Sequence, residues 1–310
     1  MIYTLENQHL KISLSNHGGE LHSIKGKKDN TEFLWSGDEA YWKYHAPILF
    51  PIVGKVFNGK YTVDGITYEL PQHGLARVRD FEMIEQTKNS ISFELKYSED
   101  TLKVYPFKFS LIIKYTLNDI NLSIDYIVKN LDNKEMYFSI GAHPAFMCPI
   151  ENDKFDDYYF EFNEKENASI MQLVGTGYFS KEEKPYLKDE NIINLSTDLF
   201  KNDALVFKNL KSNKISLKSK NHKKYLEFDF GEFPYLGLWT KDTGAPFVCI
   251  EPWFGHADFD GFNGEFKDKA AIQSLMPNKE FHCNYNIFFF FMISINYFLH
   301  YFLYYTCLCY

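Results

Sequence analysis

The feature that most constrains this chain is a hydrophobic period of two, which recurs along its length and is not replaced by a helical stripe anywhere beyond a turn or two. "ISFELKY" (91–97) alternates apolar and polar positions, and "FSLIIKYTLNDINLSIDYIVKN" (109–130) reads as two such strands around an Asn118-Asp119 turn. Successive side chains of an extended chain point to opposite faces, so this pattern describes strands with one buried and one wetter face. "YTVDGITYEL" (61–70) sets Asp64-Gly65 between β-branched and aromatic residues, the strongest short-range hairpin signal. "KISLKSKNHKKYLEFDFG" (214–231) predicts another hairpin. No strand-helix-strand rhythm calls for a parallel sheet. The expected fold is therefore all-β, a large antiparallel β-sandwich of two sheets packed face to face.

A chain of 310 residues can bury a large core in one domain, and residues 1–288 are read as that domain. Residues 151–200 are more charged and less regular, and read as a long surface excursion with one strand at "YYFEF". The run from 285 to 310 contains no Asp, Glu, Lys or Arg. "YNIFFF" suits a final core strand, and 289–310 is treated as a separate apolar, aromatic tail. Its length permits a membrane span, but recurrent Asn and Tyr and the lack of a basic flank speak against one. An aberrant extension is the competing reading.

The net charge of −8, with Lys and Arg dispersed, excludes the basic stripe of a nucleic-acid binder. The opening residues turn polar too soon for a secretory leader. Five cysteines, Cys148, Cys249, Cys283, Cys307 and Cys309, show neither zinc-ligand spacing nor an even disulfide framework, which fits a reducing cytoplasm. Aromatics at 18% serve mostly sheet packing, with a few available as stacking platforms for a sugar ring.

Three segments end an apolar strand with an ionisable group beside Pro or Gly: "QHGLAR" with His73 and Arg77, "SIGAHPAF" with His143, and "FVCIEPWFGHAD" with Glu251. Such text sets a side chain at a sheet rim or in a cleft. Each alone fits a satisfied structural residue better than a catalytic one. Together with "NHGGELHSIKGKKDNTEFLW", "APILFPIVGKVFNGKY", "FKNDALVF" and "FPYLGLWTKDTG", in that order and up to residue 288, they resemble the aldose 1-epimerases (galactose mutarotases), in particular their LacX-like branch.

The resemblance implies a sandwich of the galactose mutarotase type with a sugar cleft along one sheet. It implies Glu251 as general base, His143 as general acid, His73 near the sugar ring oxygen, and Arg77 and Asp203 on sugar hydroxyls. Trp239 and Trp253 are candidate platforms, at least one of them serving packing. Lys55 stands where many relatives carry Arg, which replaces a bidentate contact with a point charge, and Met147 stands where Asn is common in the branch. Arg79 and Asp80 read as a surface pair.

The chemistry needs those residue types. Exchanging α and β anomers requires removing the C1 hydroxyl proton and protonating the ring oxygen, so that the ring opens to an aldehyde and recloses on the other face. One acid and one base suffice, without metal, nucleotide or other cofactor. A carboxylate that stays ionised and an imidazolium that donates near neutrality are expected. The substrate is a hexose or, if Lys55, Arg77 and Arg79 converge, a hexose phosphate. A non-catalytic carbohydrate-binding or sensing protein is the alternative. A cupin-type metal isomerase lacks its His-x-His, and a glycosidase would need Glu251 and Asp258 to flank one bond.

Overall fold

The computed structural model describes residues 1–291 except Thr176 and Asp242. The alternation becomes two large antiparallel sheets. In chain segments ordered across the sheet, the nine-stranded one runs Glu190–Asn194, Tyr158–Glu166, Lys214–Ser219, Tyr225–Asp229, Glu280–Phe290, Asn121–Asn130, Phe109–Asn118, Ser90–Lys96, Glu82–Gln86. The eight-stranded one runs Tyr178–Pro185, Ser169–Val174, Leu205–Lys208, Tyr235–Trp239, Phe247–Phe254, Ile140–Ala142, Ile48–Leu49, with Ala145–Met147 also paired to Phe247–Phe254. Three strands at the N-terminus, Ile2–Glu6, Leu10–Ser15 and Leu21–Gly26, form a smaller sheet.

One core joins the two large sheets. Leu122, Ile124, Tyr126 and Val128 of the first face inward and are buried with Leu236, Leu238, Val248 and Ile250 of the second. Fully buried rings such as Phe109, Phe138, Phe146 and Phe160 fill the layer; truncating one to Ala costs about 3–5 kcal/mol in a packed core. The residues between them in sequence face away. On the nine-stranded sheet these are Ser123, Asp125 and Lys129, partly exposed. On the eight-stranded sheet they are Tyr235, Gly237 and Trp239 from one strand and Cys249, Glu251 and Trp253 from its neighbour, and this outer face carries the cavity described below. Residues 247–253 are buried on both sides of the sheet, which is why "FVCIEPW" reads as one nearly unbroken apolar run.

Local chemistry sets the turns. Asp64 (φ 52°) and Gly65 (φ 76°) both take the left-handed conformation between strands Lys60–Val63 and Ile66–Glu69, as a two-residue hairpin requires. In the 109–130 hairpin, Asn118 pairs directly with Asn121, so the loop is Asp119-Ile120, one residue later than expected from sequence. Asp119 adopts φ 54°, a conformation its short polar side chain tolerates.

Two expectations change. The charged stretch 151–200 holds four strands, not one, and two of them, Ser169–Val174 and Tyr178–Pro185, extend the eight-stranded sheet beyond Leu205–Lys208. The last strand also runs through Phe290, with Phe289 opposite Leu226, two residues into the stretch read as a tail. Residues 292–310 of that tail lie outside the described residues. No helix among the described residues is long and apolar enough to cross a membrane.

Candidate active site

The outer face of the eight-stranded sheet is roofed by loops to form a cavity of about 650 Å³. Glu251 sits mid-strand opposite Gly237, 2% exposed. His143 occupies the break between strands Ile140–Ala142 and Ala145–Met147, where Pro144 interrupts the run, and its N–H donates to the Pro47 carbonyl (3.1 Å). This brings His143 Nε2 to 3.2 Å from Glu251 Oε2. The two groups are in direct contact.

Aromatic rings hold the imidazole. Trp42 stacks on it (centroids 4.8 Å, 28° between planes), Trp239 meets it edge-on at 5.6 Å, and His73 meets it edge-on at 5.6 Å. His143 Nδ1 is buried with no hydrogen-bond partner among the described residues. Burial, with the Arg77 charge adding to it, pushes His143 down to about 3. Burial, followed by the negative charge of Asp203, pushes Glu251 well above the carboxylate range. Both shifts run against the carboxylate and imidazolium expected from sequence, because desolvation disfavours the charged form of each group.

"PQHGLARVRDF" folds as a tight rim loop. His73 (φ 66°) donates its backbone N–H to the Gly54 carbonyl (2.7 Å), and the Gly54 N–H donates back to Nδ1 (3.2 Å). His73 Nε2 lies 3.2 Å from the Gln72 amide nitrogen, so each imidazole nitrogen of His73 faces an N–H group. Burial, then His143, Arg77 and Lys55, keeps His73 well below the ordinary histidine value. Gly74 is required here: at φ 74°, an added Cβ would fall 2.3 Å from the Phe50 carbonyl oxygen. Arg77 donates from Nη2 to the Gln72 carbonyl (2.8 Å) and lies 4.7 Å above the Tyr44 ring, which fixes its planar fork at the cavity wall.

The remaining residues read from sequence separate into groups. Asp203 lies exposed on the rim at φ 76°, its Oδ1 accepting from the Ala204 N–H (2.8 Å). Trp239 faces the cavity beside Trp42. Trp253 is also floor, but its ring is wedged across two glycines: a Cβ at Gly141 or Gly237 would approach it to 2.6 or 2.7 Å. Lys55 sits at the cavity edge, its Nζ 3.8 Å from where a Gly177 Cβ would be, and its charge acts on His73. Met147 packs against Trp35, Phe247 and Cys249, away from the cavity lining. Arg79 is also away from it, and Asp80 pairs with His17 (2.7 Å) in place of Arg79. The cations that do line the cavity are Arg77, Lys201 and Lys241.

Trp42, Tyr44, Lys201 and Lys241 were not singled out from sequence. "AYWKYH" offered a signal, an aromatic cluster without strand alternation, but nothing in it names His143 as the partner. Leu173, Phe179 and Phe200 from the 151–200 stretch also line the cavity. Asp258, the glycosidase candidate, faces elsewhere: its Oδ1 accepts from Lys269 (2.6 Å) and its Oδ2 from the Phe57 N–H (2.7 Å). His143, Cys249 and Glu251 offer ligand atoms within 4.8 Å of one another.

Comparison with known proteins then settles the family. The sequence model for aldose 1-epimerase matches residues 1–268. The chain belongs to the aldose 1-epimerase family. Protein LacX (chromosomal) of Lactococcus lactis subsp. lactis is 35% identical over 291 residues, 89% of this chain and 95% of that protein. A galactose mutarotase related enzyme from Lactobacillus acidophilus superposes with a TM-score of 0.90 at 36% identity, over 95% of this chain and 99% of that one. A galactose mutarotase-like protein from Lactobacillus casei gives 0.89 at 30% identity, over 94% and 100%. The family and its β-sandwich were thus legible in the ordered motifs.

Proposed function

We propose that this aldose 1-epimerase family member interconverts the α and β anomers of a hexose, with His143 and Glu251 as its acid and base. The observation that carries this reading is the direct contact of those two groups, 3.2 Å apart, at the wall of a cavity able to hold a sugar. The reaction consumes no net proton: one group takes the proton of the C1 hydroxyl while the other gives one to the ring oxygen. A pair holding a single proton meets that requirement in either direction. Sugar binding shifts the proton from Glu251 to His143 across their contact, giving a carboxylate to attack the C1 hydroxyl proton and an imidazolium to donate. The face of Trp42 and the hydroxyls of the ligand favour the imidazolium form. After rotation about the C1–C2 bond the roles reverse and the ring closes.

His73 and Arg77 orient the sugar by hydrogen bonds, and the exposed carboxylate of Asp203 receives hydroxyls at the rim. Trp239 provides the apolar platform, whereas Trp253 is the packed floor beneath it. Arg77, Lys201 and Lys241 border the cavity and extend the reading to hexose phosphates, because three cations around one opening lower the cost of seating a phosphate. The test is NMR of a freshly dissolved, anomerically pure hexose with and without protein, repeated with the hexose 6-phosphate. Faster equilibration of either supports the reading, and the ratio of the two rates assigns the substrate class. No acceleration of any aldose leaves a binding protein.

A further inference from the structure

Cys249 has no part in the chemistry above, yet it lies two residues before Glu251 on the same strand and therefore on the same face. It is fully buried, packed with Trp35, Ala145, Ala245 and Phe247 behind the acid–base pair. Its Sγ, an imidazole nitrogen of His143 and a carboxylate oxygen of Glu251 all lie within 4.8 Å of one another. Around a tetrahedral zinc with bonds of about 2.0–2.3 Å, ligand atoms stand roughly 3.3–3.8 Å apart, so small side-chain movements close this set. Two of the three residues line the cavity, which supplies an entry route and a fourth position for water or a sugar oxygen.

We propose that Cys249, His143 and Glu251 form a binding site for one thiophilic divalent cation of the Zn²⁺ class, and that its occupancy blocks anomer exchange. The first half stands on geometry alone; the second rests on the function proposed above. A thiolate among the ligands selects Zn²⁺, Co²⁺ or Cu²⁺ over Mg²⁺ and Ca²⁺, which prefer all-oxygen sites. The cation inhibits because it takes the lone pairs of both proton-transfer groups. It is not a cofactor, and the chelated protein keeps its full rate.

The test is titration of the chelator-treated full chain with Co²⁺ alone, read by near-ultraviolet thiolate-to-cobalt absorption. The expected result is one saturating band per chain that Zn²⁺ abolishes and that Cys249→Ser removes. Cys249→Ser also weakens Zn²⁺ inhibition of anomer exchange at least about tenfold while leaving the uninhibited rate within a few-fold. Should that variant not fold, His143→Gln removes a different ligand and weakens the Co²⁺ band at least as much. No band in the wild type, or a band of unchanged affinity in Cys249→Ser, overturns the site. A Cys249-dependent band in a protein that accelerates no sugar upholds the site and rejects the function.

Discussion

Among the described residues two acid–base pairs have both partners buried, with Glu251 and Asp258 only seven residues apart along the chain, and they are built to opposite ends. In the Lys269–Asp258 pair, Nζ meets Oδ1 at 2.6 Å, the second carboxylate oxygen accepts from the Phe57 N–H, and the side chains are 1% and 3% exposed. Backbone bonds at Asp258 link it to Lys55 and to Phe179, so the pair clamps segments that wall the cavity. In the His143–Glu251 pair the contact is looser, 3.2 Å, and His143 Nδ1 has no partner among the described residues. The rim carboxylate of Asp203 opposes ionisation of Glu251. A buried pair with its bonding capacity used holds structure, while one left under-satisfied beside a cavity keeps the capacity to exchange protons with a ligand.

The largest difference between the two pairs is expected at Glu251. Glu251→Gln is expected to lower kcat/KM for anomer exchange about 10³-fold, within the 10²–10⁴ range for a positioned proton transfer, while the thermal midpoint holds or rises. Loss of stability with an intact rate would reverse the assignment of the two pairs. Lys269→Met makes the complementary case. It leaves the Asp258 carboxylate buried without its cation and should cost about 3–5 kcal/mol in urea unfolding, with the rate per folded molecule changed only a few-fold.

His73→Asn sharpens the edge of the site. Asn tolerates the φ of 66° found there, so the expected loss is that of one or two hydrogen bonds, about tenfold in kcat/KM and mainly through KM. An equal fall in kcat would make His73 part of the proton transfer.

The smallest effects are in pH dependence. Native Glu251 holds its proton above the ordinary carboxylate range, so its contribution to stability is present below the unfolded value and is lost as pH rises through the native one. The urea-midpoint advantage of Glu251→Gln over wild type should therefore grow from about pH 5 to about pH 8. His143 acts in the other direction. Its native value is about 3, against an ordinary 6.5, so the unfolded chain takes up a proton first and stability through this group falls as pH drops below 6.5. The kcat/KM profile of the free enzyme should show no inflection at the ordinary histidine value; one there would mean that His143 titrates as if in water.

The sandwich was legible because its strands are long and alternate cleanly, as at 109–130, and because "DG" permits one kind of hairpin. Of the 151–200 strands only the one at "YYFEF" was legible: Glu182, Glu183 and Lys184 leave Tyr178–Pro185 largely exposed, and an exposed strand has no apolar face to reveal its period. His143, Glu251, His73 and Arg77 were named because ordered motifs resemble a family; the strand-end reading of Glu251 did not hold, since its strand runs on through Pro252 to Phe254. The protonation of these residues was not legible, since it depends on burial contributed by Trp42 and on the charge of Asp203, from segments remote in sequence. The same distance hid Lys201 and Lys241 and left Arg79 off the cavity, because which cations border an opening is decided by how loops close and not by the spacing of charges along one of them.

A one-proton relay of His143 and Glu251 acting on a sugar ring is read out by NMR exchange spectroscopy of an equilibrated hexose with wild-type protein and with Glu251→Gln at equal folded concentration. Wild-type protein should raise the exchange rate between anomers in proportion to its concentration, and the variant should leave the rate near that of buffer. Equal acceleration by the two proteins would remove Glu251 from the proton transfer.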